Sequence, residues 1–170
     1  MEEEILNRVA NNQNLVTLDL EDFYPAGKRV VFDIKDWLFQ ELILREKDFR
    51  AYVKNHDWSL YLDQYVVLTC STDAIIPGWA YLLLTTALQP YAKKVAVGNV
   101  ELLNALLYEE IINNLDTEPY QDKAVIIKGC SDKPVPESAY ISLVQKLQPI
   151  ARTIMYGEAC SSVPLFKRKK

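Results

Sequence analysis

Each cysteine of the chain stands directly before a serine, in TCSTDAIIP (Thr69–Pro77), GCSDKPVP (Gly129–Pro136) and ACSSVP (Ala159–Pro164). A thiolate is both a nucleophile and a soft metal ligand, so three such turns raise one question: do Cys70, Cys130 and Cys160 meet? If they do, three thiolates plus a fourth donor would hold zinc, or an iron-sulfur cluster with one open iron. His56, Asp57, Asp73, Asp132 and Glu158 are the candidate fourth ligands, with His56, Asp73 and Asp132 in the expected metal set beside the three cysteines. Other chemistries stay open. Small Cys-Ser pairs also suit tight turns as inert packing thiols. A thiol hydrolase or sulfur transferase would need Cys70 or Cys130 as nucleophile with His56, the only histidine, as base. Spacings of 60 and 30 residues between the cysteines match no standard zinc motif.

The elements that would position these turns are readable from periodicity. From Tyr65 onward, apolar runs and helical patterns alternate: YVVLT, a helix over Pro77–Tyr91, KVAVG, a helix over Val100–Leu115, AVIIKG, a helix over Pro136–Ala151, and TIMYG as a final strand. Strand, helix, strand at this spacing predicts a parallel sheet, because parallel neighbours need a long crossover. The fold class is therefore α/β, a mostly parallel Rossmann-like three-layer arrangement of sheet and flanking helices. One domain over residues 1–170 is expected, with an α/β core over 63–166 and an N-terminal extension over 1–62. Within the extension, LVTLDLEDFYP and RVVFDIKDW read as strands, and LREKDFRAYVKN as an amphipathic surface helix.

A shift of 59 residues pairs Pro77 with Pro136, Ala80 with Ala139, Tyr81 with Tyr140, Leu84 with Leu143, Leu88-Gln89-Pro90 with Leu147-Gln148-Pro149, Ala92 with Ala151 and Gly98 with Gly157. This is an internal strand-helix-strand repeat, 65–98 and 124–157. Loops after parallel strands open on the carboxyl edge of the sheet. With a strand order of 2-1-3-4 counted from the Tyr65 strand, all three thiols are expected on neighbouring strands about 4.8 Å apart.

Composition limits the partners. A net charge of -4 gives no basic footprint for nucleic acid, and Lys167 to Lys170 form only a short basic tail, expected to be solvated. The acidic start MEEEILNRVANNQ does not read as an export signal, and the longest apolar run, AIIPGWAYLLLTTAL, is too short to span a bilayer and carries Pro and Gly. A cytoplasmic protein without membrane or nucleic-acid partners is expected, with its cysteines reduced or metal-bound. Neither GxGxxG nor GxxxxGK occurs, so no phosphate loop is expected. A homodimer or interaction module with no chemistry of its own is a further reading.

The strings FDIKDWLF, LREKDFRAYVKNHDW, CSTDAIIPGWAY and IMYGEACSSVPLFK together resemble a bacterial family of unknown function, domain of unknown function 2480, along nearly the whole chain. The family transfers no catalytic residue. Through the placing of its members near sulfur-mobilisation-type iron-sulfur assembly genes, the resemblance implies iron-sulfur assembly proteins as partners and a metal- or cluster-binding accessory or carrier role for Cys70, Cys130 and Cys160.

Overall fold

A computed structural model of the chain describes residues 14–129, 132–158 and 161–169. The α/β class and the mostly parallel pairing hold, but the strands divide between two sheets. Strands β1 (Leu15–Leu18), β5 (Ala124–Ile127), β6 (Thr153–Glu158) and β7 (Ser161–Lys167) form one sheet in that order. Strands β2 (Arg29–Asp33), β3 (Tyr65–Thr69) and β4 (Lys94–Val97) form the other. The expected order of 2-1-3-4 in a single sheet is thus corrected, since β3 and β5 lie in different sheets. All pairings are parallel except β6 with β7.

The backbone divides into two compact units. Unit 2 is the continuous stretch Pro25–Asn104, and unit 1 is made of Met1–Tyr24 with Ala105–Lys170. Unit 2 is therefore inserted into the sequence of unit 1. Among the described residues four helices accompany the sheets: α1 (Glu46–Asn55), α2 (Gly78–Leu88), α3 (Val100–Asn113) and α4 (Glu137–Leu147), with the unit boundary falling inside α3. The residues expected as an N-terminal extension supply a parallel strand to each sheet, β1 on β5 and β2 on β3.

The two units repeat one plan more fully than the 59-residue shift suggested. Within unit 2, α1 buries Phe49; 59 residues later α3 buries Tyr108 in unit 1. Both side chains are fully enclosed, and the Tyr108 hydroxyl donates to the Leu20 carbonyl at 2.9 Å, which satisfies the one polar atom that Phe49 lacks. Helices α2 and α4 begin and end 59 residues apart, as their equivalent buried faces require: Ala80, Leu84 and Leu88 against Ala139, Leu143 and Leu147. Pro77 and Pro136 are the residues just before these helices, one position earlier than expected, where their fixed φ still suits the helix entry.

The opening strands repeat at a different shift. LVTLDLEDF and RVVFDIKDW lie 14 residues apart, and each is a short strand followed by a 3-10 turn, Leu20–Phe23 and Ile34–Trp37. Leu15 pairs with Ala124 as Arg29 pairs with Tyr65, so the two registers are equivalent. Each sheet buries its second strand most deeply, with Val66, Val67 and Leu68 in β3 and Val125, Ile126 and Ile127 in β5. Such continuous apolar runs are what parallel strands buried on both faces require.

One strand was not expected. TIMYG is not the last strand: β7 follows it as an antiparallel edge, carrying Pro164 where no inward N–H is needed and a register shift between Ile154 and Met155. Within the basic tail Arg168 is tied down. Arg168 donates to the Asp122 carboxylate and to the carbonyls of Pro149 and Ile150.

Because Leu84 and Leu143 hold equivalent fully buried places, Leu84→Ala and Leu143→Ala are each expected to cost about 2–5 kcal/mol in urea unfolding. A cost under about 1 kcal/mol at either site would show that its core is not the packed cluster seen here.

Candidate functional site

In each unit an aspartate stands at the carboxyl end of the first strand, Asp33 as the last residue of β2 and Asp19 directly after β1. Asp33 caps the 3-10 turn after β2, accepting the Lys35 N–H at 3.0 Å, and the same oxygen accepts the Ser71 N–H at 3.1 Å from the loop after β3. Asp19 caps the turn after β1 through the Glu21 N–H at 2.9 Å, while its other oxygen pairs with the Lys128 ammonium at 2.8 Å. One carboxylate thus joins two neighbouring strand ends. Partial burial works to raise the pKa of Asp33, and hydrogen bonds from the Ser71 side chain and from the Lys35 and Ser71 N–H groups outweigh it, with the Lys35 charge adding to them. For Asp19 burial again opposes, and the Lys128 hydrogen bond, the Glu21 N–H and the charges of Lys128 and Lys133 prevail. Both carboxylates therefore lie below their ordinary value.

The Asp33 tie anchors the loop that carries Cys70. This thiol is half-buried against the unit 2 core, and its hydrogen-bond partner is the Thr72 hydroxyl at 3.4 Å. Thr72 in turn donates to the Glu41 carbonyl at 2.9 Å. Glu41 belongs to a tight hairpin, Phe39 to Ile43, whose two tip residues, Gln40 and Glu41, have φ of 51° and 59°. Left-handed backbone at two successive non-glycine residues costs about 1–2 kcal/mol each, so the loop tie and the pairing of Phe39 with Ile43 hold a strained tip. The Arg45 guanidinium lies 3.2 Å from the centroid of the Phe39 ring. Beside the hairpin, Leu42, Ile43, Leu44, Ala74, Ile75 and Pro77 line a shallow apolar recess of about 380 Å³ that Asp73 rims. Leu42 and Ile43 are more than half exposed and Ile75 is 91% exposed.

His56 lies elsewhere in unit 2. Its Nε2 meets the Tyr61 hydroxyl at 3.2 Å, and the rings of Phe32, Trp37, Trp58 and Tyr61 surround the imidazole, with Trp58 nearest at 4.6 Å between centroids. Burial pushes the Tyr61 phenol up, and burial followed by the Cys70 charge does the same to Tyr81. Cys70 and His56 are therefore bonded to different partners, and the nucleophile–base pair of a thiol hydrolase is not formed between them.

The metal-ligand set divides. Cys70 belongs to unit 2 and follows β3. Cys130 and Cys160 lie outside the described residues and follow β5 and β6, two strands of the unit 1 sheet. The expectation of three thiols along one sheet edge is corrected accordingly. Register adds a second correction: with β3, α2 and β4 repeated by β5, α4 and β6 at a shift of 59, the position equivalent to Cys70 is Gly129, while Cys130 corresponds to Ser71. Asp73 and Asp132 are exposed, and His56 is committed to its aromatic surround. Among the described residues no three His, Cys, Asp or Glu side chains gather as a metal site.

Unit 1 carries its own exposed feature. Ile127, Tyr140, Ile141, Val144, Tyr156 and Leu165 line an apolar groove of about 270 Å³ between α4 and the β6–β7 edge. The Tyr156 hydroxyl donates to the Gly129 carbonyl at 3.2 Å, which ties β6 to the loop after β5.

Two units of one plan, each with a carboxylate-clamped loop at the carboxyl end of a mostly parallel sheet, define an internally duplicated α/β protein. The chain belongs to the family of proteins of unknown function DUF2480, which matches residues 3–168. No curated protein and no solved structure matches it. Among the described residues no helix is long and apolar enough to cross a membrane.

The aspartate ties were not anticipated. The repeated string Val-x-(Leu or Phe)-Asp-(Leu or Ile)-x-Asp, at Val16 and again at Val30, was their signal in the sequence. Asp33→Ala removes a cap and a loop anchor together and is expected to cost about 1–2 kcal/mol at neutral pH. Both folded pKa values are depressed, so this stability is present above the ordinary carboxylate pKa of about 4 and is lost as pH falls through the folded values. Acid titration of unfolding should therefore be shallower in Asp33→Ala and in Asp19→Ala than in the parent chain. An unchanged acid limb in both would show that the ties contribute nothing.

Proposed function

We propose that this protein is a non-catalytic interaction module that presents rigid apolar surfaces to a partner protein. The observation that carries this reading is the strained hairpin of unit 2. A backbone that holds Gln40 and Glu41 in left-handed conformations, secured by Thr72 and thus by the Cys70 loop, presents Leu42 and Ile43 to solvent beside Ile75. Backbone strain and exposed large apolar side chains are both costly in a free protein, and both are accounted for when a partner covers the surface. A mainly apolar lining, with no convergent titratable groups among the described residues, supports binding over turnover.

A second reading keeps a thiol role for unit 1. Cys130 and Cys160 follow β5 and β6, which are hydrogen-bonded neighbours, and this supports a metal- or cluster-carrying site in which zinc or iron-sulfur chemistry would engage those thiols without Cys70. Retention of stoichiometric zinc or iron by anaerobically purified protein, lost in Cys130→Ser/Cys160→Ser and kept in Cys70→Ser, is its expected result. Absence of bound metal removes it.

For the interaction reading, a photo-reactive residue placed at position 75 in the living cell should give a discrete protein adduct. The adduct is expected to persist when all three cysteines are serine and to disappear in Leu42→Asp/Ile43→Asp, with thermal unfolding of the variants unchanged. No adduct at position 75, or one that depends on the thiols rather than on Leu42 and Ile43, would overturn it.

A further inference from the structure

The tip of the unit 2 hairpin carries a side chain that its backbone does not favour. Glu41 has φ of 59°, in the left-handed region where glycine is unstrained and a long side chain is uncommon. Asp63 and Asp122 share that conformation, but aspartate tolerates it through its short polar side chain, and glutamate has no such allowance. The fold uses only the Glu41 backbone: its carbonyl accepts from the Thr72 hydroxyl, and its N–H donates to the Leu38 carbonyl at 3.4 Å. The residue is exposed, and its carboxylate has no hydrogen bond or ion pair among the described residues. Glycine would make the same two bonds with less strain, so the cost of a glutamate here is not offset within the described chain.

A second carboxylate stands beside it. Asp73 follows Thr72, the residue that holds the Glu41 carbonyl, and it rims the apolar recess that Leu42, Ile43 and Ile75 help to line. Asp73 is likewise exposed, without a hydrogen bond or ion pair among the described residues. Arg45, the cation closest to Glu41 along the chain on this side, lies over the Phe39 ring instead. An apolar recess is thus flanked by two negative charges that nothing described neutralises.

The shape and charge of this surface select its occupant. Small-molecule pockets enclose most of their ligand, whereas Leu42, Ile43 and Ile75 are each more than half exposed and enclose little. The two carboxylates would repel an anionic membrane surface, and a second copy seated face to face would bring like charges together. We infer that the hairpin recess binds a short amphipathic segment of a partner protein, in which a large apolar side chain enters beside Leu42, Ile43 and Ile75 and a neighbouring lysine or arginine pairs with Glu41 and Asp73. The apolar anchor supplies most of the affinity, while the charges choose the partner and speed its approach. This inference rests on the interaction reading above and names the partner's chemistry at that same surface.

The peptide crosslinked in the living cell by the photo-reactive residue at position 75 is to be identified by mass spectrometry, and a synthetic peptide of that sequence titrated against the full chain. It is expected to hold a lysine or arginine within about four residues of a large apolar residue, the spacing of neighbours on one helix face. Its affinity should fall about threefold to tenfold in Glu41→Gln/Asp73→Asn, and comparably between about 0.05 and 0.5 M salt. Asp63→Asn/Glu118→Gln, which removes two exposed carboxylates elsewhere, is expected to leave affinity unchanged. Glu41→Gly should weaken binding while leaving thermal unfolding unchanged or raised. A crosslinked peptide without a basic residue, an adduct to lipid or to a second copy of this chain, equal loss in the control pair, or a lowered unfolding temperature in Glu41→Gly would each overturn the inference. No adduct at position 75 removes the interaction reading and this inference with it, whereas a Leu42- and Ile43-dependent adduct whose peptide lacks a cation removes this inference alone.

Discussion

The architecture depends on one carboxylate in each unit. A parallel strand pair has no hairpin to fix its register, so something other than chain continuity must hold the two carboxyl ends together. Asp33 does this across 38 residues to Ser71, and Asp19 across 109 residues to Lys128. Each aspartate also caps a 3-10 turn, which directs the chain away from the sheet and sends Leu20 or Ile34 into the core. In unit 2 a single oxygen of Asp33 both closes the turn and anchors the loop that follows the neighbouring strand, whereas in unit 1 the two oxygens of Asp19 divide these tasks. In unit 2 that loop bears Cys70 and, through Thr72, steadies the hairpin that displays Leu42 and Ile43.

Sequence patterning carried the α/β class, most helices and the second half of the duplication because those features rest on runs long enough to show a period. Helices α2 and α4 share a Pro entry, an Ala-Tyr pair and a Leu-Gln-Pro exit, and strands β3 and β5 are unbroken apolar runs. The first half of the duplication was hidden for physical reasons. Its strands are short, its apolar pairs are mostly similar rather than identical, as with Leu18 and Phe32 or Phe23 and Trp37, and its shift is 14 rather than 59. Burial selects size and apolarity at such positions, and those tolerate exchange.

The candidate site was less legible than the fold. The cysteines drew attention as the reactive residue type, yet the shift of 59 that pairs Pro77 with Pro136 sets Cys70 opposite Gly129, one position from Cys130, and the observed strand and helix bounds agree with it. Sheet membership was the larger obstacle. Alternating strands and helices read the same whether they enter one sheet or two, because the pattern fixes that a strand is buried and not which neighbour it takes. β7 was masked by Pro164, which argues against a central strand and is admissible only at an edge. Arg168 was read as tail because its partners, two helix-end carbonyls and Asp122, are distant in sequence.

Inserting one unit within the other also sets an order of events during synthesis. Every strand of unit 2 falls within Pro25–Asn104, so its sheet can close as soon as that stretch has emerged. β1 emerges earlier still but pairs with β5, so that Leu15 waits for Ala124. At roughly 5–20 residues per second, that separation leaves the first strand without its partner for on the order of 5–20 s. For that interval LVTL is an unprotected apolar strand on a nascent chain, and Asp19, Glu21 and Asp22 directly after it keep charge beside it while it waits.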